Sequence, residues 1–146
     1  MQTIGVTGSL LKWFKDYLTQ RRQRVVINGS ASPWRYTEAG VPQGSIWGPL
    51  LFLTYINDIT EIVESNIRLF ADDTSLFVIT EPENGDIAAL TLNGDLSAIS
   101  AWTKMWFITL NESKTFKMRV SNRNSDYFPV FLNGKLISET SFHKHL

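Results

Sequence analysis

Leu69-Phe70-Ala71-Asp72-Asp73-Thr74 is the stretch on which the reading of this chain turns. Ile67, Leu69, Phe70 and Ala71 lead into it, and Leu76, Phe77, Val78 and Ile79 lead away. Both runs are β-branched or aromatic and bounded by polar residues, which predicts two strands. Between them sit two neighbouring carboxylates. Like charges side by side in a half-buried turn repel. A bound divalent cation removes that repulsion, and hard oxygen ligands suit Mg²⁺. The pattern predicts a β-hairpin that presents two acids to metal at its tip. Asp-Asp is also an ordinary solvated turn, because Asp is a good turn residue. Six residues do not separate these readings, so the context must.

The chain has 146 residues, about one domain's worth, and 43% of them are hydrophobic, enough for a core. Five Trp, nine Phe and four Tyr are more aromatic than a disordered chain carries. Cysteine is absent, which excludes a disulfide framework and a thiolate zinc site. Both histidines, His143 and His145, lie near the C-terminus and leave little for a His-based metal site or a Ser-His hydrolase. The apolar run Leu50 to Ile56 is too short to span a bilayer, and the N-terminus has no signal pattern. The expectation is an intracellular protein without a membrane partner, nuclear or cytoplasmic.

Net charge is zero, which by itself argues against a nucleic-acid partner. Its distribution says otherwise. Residues 1–40 hold six Lys/Arg and two Asp/Glu, residues 41–100 hold one and nine, and residues 101–146 hold seven and three. Basic flanks can hold phosphates, and an acidic middle can hold metal. Chance patterning on solvated faces gives the same counts.

Ser9 reads as an N-cap, followed by Leu10, Leu11, Phe14 and Leu18 at helical spacing, widened by Trp13 and Tyr17, to an end near Thr19. Arg21-Arg22-Gln23-Arg24 reads as a solvated connection or a phosphate contact. Val25-Val26-Ile27 reads as a strand, Asn28-Gly29 as a tight turn, and Trp34 with Tyr36 as a return strand irregular at Pro33. Gly40 to Pro49 holds three Gly and two Pro, which excludes regular structure there and lets the backbone approach a ligand closely. Ser45 or Gly48 starts the next helix, with Pro49 in its first turn. Leu50, Leu51, Phe52, Leu53, Tyr55, Ile56 and Ile59 make that helix apolar almost all round, which predicts deep burial. A loop of this kind can cradle a nucleotide at a helix N-terminus, or can be a tight connection alone.

Ile87, Leu90, Leu92, Leu96, Ile99, Trp102 and Trp106 predict an amphipathic helix from about Asp86 to Met105. Phe107–Leu110 and Thr115–Val120 read as strands around Asn111–Lys114, and Ser121–Tyr127 as a loop. Val130–Leu132 and Lys135–Ile137 flank Asn133-Gly134, a second hairpin signal. Antiparallel hairpins with helices on one face make an α+β domain.

At this point the residues resemble a known family. Gly40-Val41-Pro42-Gln43-Gly44-Ser45, then Gly48-Pro49-Leu50-Leu51-Phe52 and Tyr55-Ile56-Asn57-Asp58, resemble the reverse transcriptase signature of LINE-like, non-LTR retrotransposons. Phe70-Ala71-Asp72-Asp73 resembles that family's aspartate box in its Ala-containing variant. Trp102, Trp106, Leu110-Asn111 and Lys114-Thr115 resemble the following segment, and Leu132-Asn133-Gly134 onward the approach to the primer grip. The blocks stand in family order and cover nearly the whole chain.

The resemblance implies an RNA-directed DNA polymerase, a nucleotidyltransferase joining a dNTP to a DNA primer 3′-hydroxyl on an RNA template. Asp72 and Asp73 would be the catalytic ligands of two Mg²⁺ ions in a two-metal nucleotidyl transfer, with Mn²⁺ as a substitute, Asp72 being the main ligand. Pro42, Gln43, Gly44 and Ser45 would line nucleotide and template. Lys114 would stand near the phosphates as charge stabiliser or proton donor; a solvated hairpin lysine explains it equally well. The implied fold is α+β, an antiparallel palm-type sheet with packed helices, truncated at both ends. Residues 1–129 would be a fingers and palm portion, and residues 130–146 the start of the primer-grip hairpin.

Three departures matter. The family has a further catalytic Asp on a strand ahead of the first helix, and no Asp here stands in that context, since Asp16 lies mid-helix. The chain alone is therefore expected to have little or no polymerase activity. Trp47 and Thr54 interrupt aliphatic positions, and Trp47 is expected to crowd the loop. The thumb and the rest of the primer grip are expected to be missing, with an exposed sheet edge and marginal stability as consequences. Two competing readings are a non-enzymatic nucleic-acid-binding remnant of a decayed mobile element and an unrelated metal-dependent phosphohydrolase; the latter lacks supporting His or further paired acids.

Overall fold

The computed structural model describes residues 5–37, 40–121 and 128–141. Expectations for Ser121–Tyr127 fall almost wholly outside this range, as do those for the last five residues. The chain divides into two units, residues 1–54 and 55–146.

The first unit opens with α1, Gly8–Leu18. The helix ends at the expected place, with Thr19 as C-cap. Its start differs: Thr7 is the N-cap, without a side-chain cap bond, and Ser9 already lies inside the first turn. Phe14 is the buried residue of α1. It meets Trp47 edge-on with ring centroids 5.6 Å apart, while Trp13 stacks on Tyr17 at 5.2 Å and meets Trp47 at 6.4 Å. Trp47 thus joins an aromatic cluster instead of crowding the loop. Ring pairs of this kind add about 0.5–1.5 kcal/mol beyond the area they bury.

A long hairpin follows. β1 (Arg22–Gln23) pairs antiparallel with β4 (Arg35–Tyr36), and β2 (Val26–Ile27) pairs with β3 (Ser30–Ala31). Asn28 and Gly29 have φ of +49° and +81°, the two left-handed positions of a type I′ turn. The ladder breaks where Pro33 removes a donor. There Val25 N–H donates to Ser32 Oγ at 3.0 Å, and Ser32 N–H donates to Val25 O at 2.9 Å. Arg22-Gln23 is therefore strand and not a solvated connection.

α2 spans Trp47–Ile56. It begins between the two starts the sequence suggested and ends before Ile59, which lies in a 3-10 turn at Asn57–Glu61. Deep burial all round is not what the helix has. Leu51 and Ile56 are buried, but Leu50 is 54% exposed and Leu53 45%. An apolar pattern states what a helix needs covered, and only one face of α2 is covered here.

The second unit is arranged around α3, Gly85–Met105, which matches the expected helix within one residue. β5 (Asn66–Phe70) and β6 (Asp73–Phe77) form a regular antiparallel hairpin with five facing pairs. β8 (Phe131–Leu132) and β9 (Lys135–Leu136) form another, turned by Asn133 and Gly134 at φ +51° and +78°. Val130, Leu132 and Ile137 are buried together, with Ala89, Leu92, Leu96 and Leu110 packed against them. A Val, Leu or Ile side chain contributes about 1.5–3 kcal/mol when fully buried. The hairpin expected around Asn111–Lys114 is absent. Phe107–Leu110 is not a strand, because Phe107 turns into a left-handed conformation at φ +55° after α3. β7 (Phe116–Lys117) pairs instead with β10 (Ser138–Glu139), and in parallel.

The structure is thus mixed α+β, as expected. Among the described residues the strands form five separate two-stranded sheets, four antiparallel and one parallel. No helix among them is long and apolar enough to cross a membrane.

Candidate active site

The acidic hairpin is built by alternation. Ile67 and Leu69 are half-buried, while Asn66, Arg68 and Phe70 on the other face are exposed. The register pairs Phe70 with Asp73, leaving Ala71 and Asp72 as a two-residue turn. Ala71 has φ +52°, a region that an L side chain enters at a cost of about 1–2 kcal/mol. Asp72 and Asp73 therefore sit side by side at the tip, both exposed. Arg68 places its guanidinium 5.5 Å from the Phe77 ring centroid. Among the described residues no cluster of three or more Asp, Glu, His or Cys gathers as a metal would require of protein ligands alone.

What holds this hairpin to its unit was not anticipated. Asp95 of α3 is 3% exposed. Its Oδ1 accepts Glu64 N–H at 2.8 Å and its Oδ2 accepts Ser65 N–H at 2.9 Å, just before β5 begins. Burial alone would raise its pKa. The Ser65 side chain and these two amides outweigh burial and hold the carboxyl below its ordinary value. Ser65 Oγ reaches no partner at full hydrogen-bond geometry, so the two short amide bonds form the anchor. Asn93, one half-turn away, does the same for the other hairpin: Nδ2 donates to Pro129 O at 3.1 Å and Oδ1 accepts Phe131 N–H at 2.8 Å. The sequence did contain a signal for Asp95. Leu92, Asp95, Ile99 and Trp102 follow helical spacing, so a carboxylate occupies a position in the apolar stripe.

The Gly-rich loop belongs to the first unit. Gly44 has φ +76° in a turn closed by Ser45 N–H donating to Pro42 O at 3.4 Å. Only glycine takes that third position without strain. Ser45 Oγ accepts Gly48 N–H at 2.9 Å and so caps α2. Gln43 and Gly44 are exposed, while Pro42 and Ser45 are half-buried. The hydroxyl expected to face nucleotide is thus already engaged as an acceptor.

Lys114 ends a 3-10 turn, Glu112–Lys114, and is exposed. Glu112 in the same turn pairs with Lys135 at 3.8 Å and accepts from Asn133 Nδ2 at 2.9 Å, which ties the turn to the β8–β9 hairpin. The structure brings Asp72 to Asp73 and brings Pro42, Gln43, Gly44 and Ser45 into one turn. Lys114 stands in a third element.

Comparison with known proteins decides the family. The family model described as reverse transcriptase (RNA-dependent DNA polymerase) matches residues 1–138. The chain belongs to the reverse transcriptase family. It is 31% identical over 140 residues to the RNA-directed DNA polymerase from mobile element jockey of Drosophila melanogaster, covering 90% of this chain and 15% of that protein. The jockey polymerase of Drosophila funebris is 30% identical over 149 residues, covering 97% and 16%. The probable RNA-directed DNA polymerase from transposon BS of Drosophila melanogaster is 30% identical over 142 residues, covering 90% and 16%. This reverse transcriptase chain thus spans 15–16% of the length of these relatives. No solved structure gives a significant match. The relatives come from non-LTR elements, as the aspartate box and the Gly-rich loop implied.

Proposed function

We propose that this chain carries the palm portion of an RNA-directed DNA polymerase. It would use an RNA template, a DNA primer and dNTPs. One observation carries the reading: in a reverse transcriptase family member, a five-pair hairpin delivers Asp72 and Asp73 together at an exposed tip. Their chemistry fits the metal the family implies. Mg²⁺ keeps several waters and is commonly held by one or two carboxylates plus substrate phosphates. Asp72 and Asp73 would hold it, and when bound it supplies charge that activates the primer 3′-hydroxyl and stabilises the leaving pyrophosphate. Mn²⁺ would substitute.

The other roles fall to this chain's own groups. Gln43, with its exposed amide, and Gly44, without a side chain, would line the nucleotide and template, with Pro42 fixing the turn. Ser45 would serve through the loop shape it caps. Lys114, exposed and without a hydrogen bond or ion pair from its ammonium among the described residues, would stabilise phosphate charge. Residues 1–129 would be fingers and palm, and residues 130–146 the start of the primer-grip hairpin.

Two carboxylates are few for two ions, so the purified 146-residue chain is expected to give little or no primer extension with Mg²⁺. Clear template-directed synthesis would refute that expectation. Mn²⁺ binding, followed by electron paramagnetic resonance, is expected and should be lost in Asp72→Ala. Binding unchanged in that variant would overturn the metal assignment and leave a non-enzymatic nucleic-acid-binding remnant.

A further inference from the structure

Between Asp16 and Glu38 the sequence holds four arginines and no acid. The structure separates these arginines by role. Arg21 is structural: its Nε donates to Leu18 O at 3.1 Å and its Nη2 donates to Gly40 O, pinning the base of the hairpin. Arg22, Arg24 and Arg35 are exposed, and among the described residues no side-chain hydrogen bond or ion pair engages them. Arg22 and Arg24 both place Cζ 4.7 Å from the centroid of the Trp34 ring.

Two guanidiniums at one exposed indole are informative. Cation–π attraction holds each guanidinium at the ring and works against their mutual repulsion. A guanidinium laid on a ring loses rotamer freedom in advance and keeps its edge N–H donors for another partner. That planar fork matches a phosphate bidentately. A ring already carrying two cations is a rest for them and not a platform for bases. The register sets Arg35 opposite Gln23, on the other face of the ribbon from the two stacked arginines.

We propose that one face of the Arg21–Thr37 hairpin is a nucleic-acid backbone-binding surface. Arg22 and Arg24 contact phosphates, and Trp34 orients both. The surface works without metal and without reading bases, so it extends the polymerase reading and does not rest on Asp72 or Asp73.

The test is fluorescence anisotropy of the full chain with a mixed-sequence single-stranded RNA, in EDTA, at KCl from about 50 to 200 mM. A DNA strand of the same sequence is the second arm. Both should bind, with log K falling linearly as log salt rises. Arg22→Gln with Arg24→Gln should weaken binding about tenfold at low salt and flatten the slope by about 1.4, from about 0.7 per lost contact on a single strand. Trp34→Leu, which keeps every charge, should weaken binding with the slope retained. Lys12→Gln with Lys15→Gln removes the same charge from α1 and should change affinity less than twofold. Circular dichroism checks folding, and Arg24→Gln alone, with a slope loss of about 0.7, replaces the double variant if that unfolds. Wild-type affinity and slope in the arginine variants, or an equal loss in the lysine pair, would overturn the proposal. Because metal is chelated and synthesis is not read, neither result bears on the catalytic reading.

Discussion

Asp95 shows how much one side chain inside a helix can organise. A buried carboxylate accepting two backbone amides leaves both N–H groups orphaned when it is removed, at a cost of about 1–3 kcal/mol. Asp95→Asn keeps the shape but turns an acceptor into a donor against one amide. It should destabilise the chain by that amount in urea unfolding, and amide exchange should rise first at Glu64 and Ser65. The pH dependence has a definite sign. The folded-state pKa of Asp95 lies below the ordinary 3.8, so its contribution is complete above 3.8 and is lost as pH falls through the lower folded value. The stability gap between wild type and Asp95→Asn should therefore be flat at neutral pH and shrink only below about 3.8. A gap that closes between pH 5 and 7 would contradict the anchor.

At the scale of elements, turns carry most of the specification. Asn28-Gly29 and Asn133-Gly134 set registers that hold residue for residue, while Ala71-Asp72 closes the acidic hairpin without glycine. The junction between the Gly-rich loop and the first turn of α2 is tight. A Cβ on Gly48 would lie 2.9 Å from Pro42 O and 3.3 Å from Ser45 Oγ. The first contact is backbone, which cannot swing aside. Gly48→Ala should cost about 1–3 kcal/mol by overpacking and should loosen the Pro42–Ser45 turn. Gly94, with open space around its Cα, provides the contrast. Gly94→Ala in α3 should stabilise by up to about 1 kcal/mol through helix propensity. Thermal melts of the two variants moving in opposite directions would confirm the distinction; a neutral Gly48→Ala would remove it.

For the molecule as a whole, cover is the limiting quantity. The buried apolar residues among those described are nine, and none has a side chain below 2% exposure. Ile46, Ile79, Phe107 and Val120 are each more than 85% exposed. Stability is a small difference between burial and chain entropy, and a core of this size leaves that difference small. The isolated chain should melt at low temperature over a broad range and bind a dye specific for apolar surface while still folded. A sharp transition at high temperature without dye binding would count against marginal stability.

The sequence alone carried the signals that are local. Runs of β-branched and aromatic residues marked β5 and β6, period-3.6 spacing marked α3, Asn-Gly pairs marked two hairpins, and two short motifs marked the family, because each depends on residues close along the chain. It misplaced the N-cap of α1, left Arg22-Gln23 as a solvated connection or phosphate contact where β1 pairs with β4, and put strand at Phe107–Leu110, where Phe107 turns left-handed after α3. β7 finds its partner β10 some twenty residues later, and no local pattern encodes a parallel pair. The burial of Asp95 and Asn93, the seating of Trp47 among aromatic rings and the stacking of two arginines on Trp34 also came only with tertiary structure. Each is a contact between segments whose meeting is set by the packing of the unit, and a side chain's environment is a property of its neighbours in space.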